Sequence, residues 1–124
     1  GAVRDTARSV YTGLIHIKPN AAHSQAFQTN RNLTLSEGAW AESVPNLEIE
    51  TNEVKCSHAS TVGSVDEDQR FYLESRGVPP EIAERLIVFG FFNEVIDRLP
   101  KAADVESLRA AVNHKLNPEG DVAQ

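Results

Sequence analysis

The sequence predicts a mixed fold in which short β-strands come first and helices follow. Three observations carry that expectation. Apolar and polar residues alternate in Leu47-Glu48-Ile49-Glu50 and again in Val54-Lys55-Cys56-Ser57-His58, the period-two pattern of a half-covered strand. After Gly63 the period lengthens to about four residues, as an amphipathic helix requires. Apolar pairs recur at Ile15/Ile17, Leu33/Leu35 and Leu47/Ile49, and nothing between them reads as the helix of a βαβ crossover. An antiparallel sandwich fragment and stacked coil rungs both accommodate such strands, and the near-regular spacing of the pairs favours rungs.

Residues 1–9 are small and charged and read as an N-terminal arm or a cloning remnant. Val10 to Ile17 is the first strand. It is apolar on both sides near its end, so both faces are expected to be covered, and Pro19-Asn20 closes it. Residues 21–28 read as irregular and Thr29-Asn30-Arg31-Asn32 as a tight corner, because asparagine tolerates left-handed backbone and hydrogen-bonds locally. Leu33-Thr34-Leu35 is a second short strand and Ser36-Glu37-Gly38 a turn. Ala39 to Ser43 carries Trp40, and Val44-Pro45-Asn46 turns into the strand at Leu47. The strand region spans 10–63. It opens directly on an apolar strand, whereas a stacked coil needs a cap at its end.

The helical region spans 64–117. Ser64 stands three residues before Glu67, a capping-box arrangement, and Asp66, Glu67 and Asp68 place negative charge where the helix dipole favours it. This first helix runs through Phe71, Tyr72 and Leu73 to Arg76, with Gly77 as its stop. Val78-Pro79-Pro80 starts the second, proline being tolerated in a first turn. From Leu86 to Phe92 the sequence LIVFGFF is apolar almost all round, so this helix is expected to be covered on more than one side, with Gly90 admitting a close neighbour. Leu99-Pro100 ends it. Val105 to Leu116 is a third amphipathic helix, and 118–124 is a polar, flexible tail.

Composition removes several classes of function. At 124 residues the chain holds one domain's worth of sequence. A formal net charge of -6 leaves no basic patch to neutralise phosphates, which argues against nucleic acid and anionic membrane as partners. There is no apolar run long enough to span a bilayer and no signal peptide. The single cysteine excludes an internal disulfide framework and a self-contained four-cysteine zinc or iron–sulfur site. A cytoplasmic location follows as the expectation. No Walker-type phosphate loop, nucleophile elbow or metal-hydrolase spacing is present, so no catalytic residues are assigned and any ATP hydrolysis is expected in a partner.

The strings QTNRNL, PNLEIE, KCSHAST and FYLESRG resemble the C-terminal portion of the SufB/SufD family of iron–sulfur cluster assembly scaffold proteins, over roughly 10–100. The resemblance implies the final rungs of a right-handed parallel β-helix followed by a small helical domain, and a fragment of a longer parent. Ala59 follows His58 where SufB proteins commonly carry glutamate, so the segment is more similar to SufD. In a SufBCD-type complex, the resemblance implies, the β-helix ends of two scaffolds pair and cluster assembly uses a SufB cysteine with a SufD histidine. His58 matches that histidine and Cys56 is its neighbouring thiol. The helices would dock a SufC-like ATPase, with Phe89, Gly90, Phe91 and Phe92 as the expected contact.

The residues themselves are compatible with that role. Side chains two apart on a strand share a face, so Val54, Cys56 and His58 lie together, the last two roughly 6–7 Å apart by strand rise. Thiolate and imidazole are both iron ligands, but one strand offers two of them and a cluster takes four. The nascent cluster or iron is therefore expected to be transient and shared with a SufB-like partner, and the isolated fragment is expected to hold none. Plainer readings exist: a lone cysteine is most often a small buried hydrophobe, and His58 could be structural. His16 and His23 carry no recognised ligand pattern, His114 is expected to be solvated, and Glu48, Glu50 and Glu53 read as a solvent face. The competing function is a structural module that self-associates through β-helix edges, with no metal role.

Overall fold

The computed structural model describes residues 1–100 and 103–117. The chain divides into two compact units, Gly1–Ser64 and a second that begins at Val65.

The first unit contains β1 (Ala2–Val3), β2 (Arg8–Ile17), β3 (Gln25–Thr34), β4 (Trp40–Ile49) and β5 (Lys55–Ser64). Successive strands alternate between two sheets, ordered β1-β3-β5 and β2-β4. Every pairing is parallel: Arg8 to Ile17 align with Trp40 to Ile49, and Gln25 to Thr34 align with Lys55 to Ser64. Parallel strands need a crossover to bring the chain back to the same end. Here each crossover is a strand of the opposite sheet, so the chain coils. That excludes the antiparallel sandwich and agrees with the expectation of stacked rungs.

Several local expectations are corrected. Residues 1–9, read as an arm, contain β1, which pairs with Leu33 and Thr34, and the start of β2. Of the stretch 21–28 read as irregular, 21–24 is a turn, whereas 25–28 and the corner expected at 29–32 belong to β3. Among the described non-glycine residues, left-handed backbone occurs at Asp5 and His23 and not at the asparagines. Asn30 and Asn32 instead lie two apart on one face of β3, where the Asn32 amide donates to Asn30 Oδ1 at 2.6 Å and Asn32 is buried. Ladder hydrogen bonds and this side-chain pair outweigh the weak strand propensity of asparagine. Val44-Pro45-Asn46 is strand rather than turn, and Pro45 is tolerated because β4 has a strand partner on one side only. The outer face of β2 is open, with Val10 and Leu14 both exposed, while Gly13 and Ile17 on its other face are buried.

The second unit holds α1 (Glu67–Ser75), α2 (Pro80–Ile96) and α3 (Val105–Leu116). The cap of α1 is Asp66, not Ser64: its carboxylate accepts from the backbone N–H groups of Asp68 and Gln69 at 2.9 and 3.2 Å. Ser64 is committed to the β5 ladder opposite Thr34. Gly77 takes φ +86°, the left-handed stop that glycine permits without strain. Proline opens α2, and Ala83 and Val88 on it are fully buried. Gly90 is not a point of close approach, since a Cβ there would meet nothing. Asp104 caps α3 by accepting from Ser107 N at 3.0 Å. Arg109 ties α3 to α2 through Asn93 Oδ1 at 2.7 Å and Asp97 Oδ1 at 2.5 Å. No helix among the described residues is long and apolar enough to cross a membrane. The polar tail at 118–124 lies outside the described residues.

Candidate functional site on the edge strand

Cys56 and His58 sit on β5, the outer strand of the β1-β3-β5 sheet. Parallel register puts Cys56 beside Ala26 and His58 beside Gln28. Alternation then gives both side chains one face of the sheet, shared with Gln28, Asn30 and Asn32. Cys56 is a half-buried free thiol and His58 is exposed. β3 covers one edge of β5, and no described strand pairs with the other. Such an edge presents peptide N–H and C=O groups to a further strand.

The neighbouring carboxamide is held firmly. Gln28 Nε2 donates to the Tyr11 hydroxyl at 2.6 Å, linking the two sheets. Gly13 makes that link possible: a Cβ built on it would overlap the Gln28 amide nitrogen and lie 2.8 Å from the Tyr11 ring. Gln28 Oε1 is left buried with no hydrogen-bond partner, directly across the ladder from His58. Thiol and imidazole on the edge strand thus share a sheet face with the Gln28 carboxamide of the adjoining strand.

A second cluster joins residues that sequence reading left apart. His16 on β2 pairs in register with Glu48 on β4, and Glu50 follows on the same face. His16 Nε2 lies 2.6 Å from Glu50 Oε1, and ligand atoms of all three residues fall within 4.8 Å of one another. All three are exposed, as expected of Glu48 and Glu50, but the register that unites them spans a whole turn of the coil. His23, at a turn with φ +64°, places Nε2 3.3 Å from Glu53 Oε2.

In the helical unit Phe89, Phe91 and Phe92 are half-buried and Gly90 is exposed. The Phe91 and Phe92 rings meet edge to face with centroids 5.4 Å apart. More open apolar side chains on these helices are Phe71 at 72%, Val95 at 59%, Tyr72 at 57% and Leu86 at 49% exposure. Phe71 and Tyr72 were legible as helix, and the helical pattern alone did not mark them as surface. His114 is exposed, as expected, in the last turn of α3.

A family model described as SUF system FeS cluster assembly, SufBD core domain, matches residues 1–91. The chain is 48% identical over 111 residues to an iron-sulfur cluster assembly SufBD family protein of Mycobacterium tuberculosis, covering 89% of this chain and 28% of that protein. It is 38% identical over 116 residues to the iron-sulfur cluster assembly protein SufD of Bacillus subtilis, covering 94% and 26%. The SufD of Escherichia coli is 35% identical over 114 residues, covering 92% and 27%. The chain therefore spans between a quarter and a third of the length of these relatives. With coiling parallel strands, a matching core domain and SufD-like similarity along most of its length, the chain belongs to the SufBD family of the SUF iron–sulfur cluster assembly system.

Proposed function

We propose that this chain is part of a non-catalytic scaffold for iron–sulfur cluster assembly. Its strand unit supplies the last rungs of a right-handed parallel β-helix. The observation that carries the reading is the position of Cys56 and His58: two iron ligands on one face of a strand whose outer edge has no described strand partner, in a chain similar to SufD. A SufB-like scaffold pairs along that edge and completes the ligand set around the nascent cluster, which is cargo and not a resident cofactor. Two ligands from one chain and two from another satisfy the four-ligand requirement of a cluster.

The helical unit docks a SufC-like ATPase through α2, around Phe89, Gly90, Phe91 and Phe92. The apolar run that includes them also exposes Leu86, and exposed apolar side chains of this kind mark contact surfaces. Co-purification tests the docking. The wild-type chain retains a SufC-like ATPase, and Phe91→Asp loses it. Leu86→Asp, at an exposed position that tolerates charge, loses it as well with an unchanged circular dichroism spectrum. Retention of the ATPase by a folded Leu86→Asp chain would remove α2 from the contact.

A further inference from the structure

We propose that His16, Glu48 and Glu50 bind a single divalent transition-metal ion on the outer face of the β2-β4 sheet, on a different strand pair from Cys56 and His58. The backbone prepares the arrangement. His16 and Glu48 are direct register partners, and the ladder continues past β4 through a hydrogen bond from Glu50 N to Ile17 O at 2.9 Å. Three side chains are thereby carried to one patch by hydrogen-bonded backbone, the preorganisation that a metal site needs.

The donor set selects the ion. One imidazole nitrogen with two carboxylate oxygens suits zinc, cobalt, iron(II) or manganese, whereas calcium and magnesium sites are built from oxygen alone. Ligands about 2.1 Å from a tetrahedral ion stand about 3.4 Å apart. The His16–Glu50 separation of 2.6 Å and the 4.8 Å limit on the group bracket that distance. Small rotations of exposed side chains close the difference, and water completes the coordination. Charge points the same way. Glu48 and Glu50 place two carboxylates on this patch, a donor set suited to a divalent cation. An ordinary hydrogen-bonded His16–Glu50 pair accounts for the short contact but makes no use of Glu48.

That difference sets the test. The whole chain carrying Cys56→Ala and His58→Ala, so that β5 offers no ligand, is titrated with Zn2+ by calorimetry and with Co2+ by visible absorption. The proposal expects one ion per chain with a ligand-field band. In the same background His16→Ala and Glu48→Gln each weaken binding by at least about ten-fold, with circular dichroism unchanged. Failure of the background chain to bind one ion, or unaltered affinity in Glu48→Gln, overturns it. The role proposed for Cys56 and His58 is untouched by either result.

Discussion

Gly13 shows how one missing methyl group decides a contact between sheets. It lies where a Cβ would strike the Gln28 amide and crowd Tyr11, and these two side chains form the hydrogen bond that joins β2 to β3. Both obstructing groups are flexible side-chain ends, so Gly13→Ala forces them aside without moving backbone. The expected loss is about 1 kcal/mol, at the low end for overpacking, read as a lowered urea midpoint. In a Gln28→Ala background most of that loss disappears, since the clash and the bond have gone together. The chemistry of single residues was unevenly legible in the sequence. Cys56 and His58 are two apart on a strand that announces itself by alternation. His16 and Glu48 are 32 positions apart in numbering and meet only through parallel register, which no local pattern encodes.

Among the elements, helices were easier to read than strands because their end signals are local. Gly77 and the prolines before α2 act within one turn of chain. Even so, spacing pointed to Ser64 as the cap of α1, whereas Ser64 is held in the β5 ladder and Asp66 caps the helix. Asp66→Ala removes the acceptor for two backbone N–H groups and should cost about 1 kcal/mol, whereas Ser64→Ala leaves α1 unaffected. Thermal melts of the two variants make the comparison. At α3, hydrogen bonds from the Ser107 hydroxyl and then its backbone N–H hold the Asp104 carboxyl below the usual carboxylate range. A depressed folded value means that the cap's contribution is fully present above the unfolded pKa of about 3.9. It is lost as pH falls through the lower folded value. Cα chemical shifts of α3 should therefore hold their helical values at neutral pH and drift towards coil on strong acidification, and Asp104→Asn should flatten that response. The ends of β3 and β4, at Leu33-Thr34 and Leu47–Ile49, were read as strand, and their first parts were hidden for a different reason. Their inward positions carry Gln28, Asn30, Asn32, Ser43 and Pro45, so the alternation that identifies a strand is polar on both faces and produces no hydrophobic period.

At the scale of the whole molecule, the chain is two units with separate cores. The fully buried side chains Ala83 and Val88 belong to the helices. The strand unit relies on long parallel ladders, on Ile17 and Ala41, and on polar links such as Tyr11–Gln28. Such a unit buries little by itself, and no described strand pairs with the outer edge of β5. On the proposed reading, Cys56 and His58 are cluster ligands carried where a second scaffold would add the next strand. The most direct test of the proposed scaffold role is the iron and acid-labile sulfide content of a complex assembled from a SufD-type protein that carries this sequence, a SufB-like scaffold and a SufC-like ATPase, wild type beside His58→Ala. The account predicts a fall of about ten-fold or more in cluster content for His58→Ala, with subunit stoichiometry unchanged. Cluster content equal to wild type in an intact His58→Ala complex would contradict it.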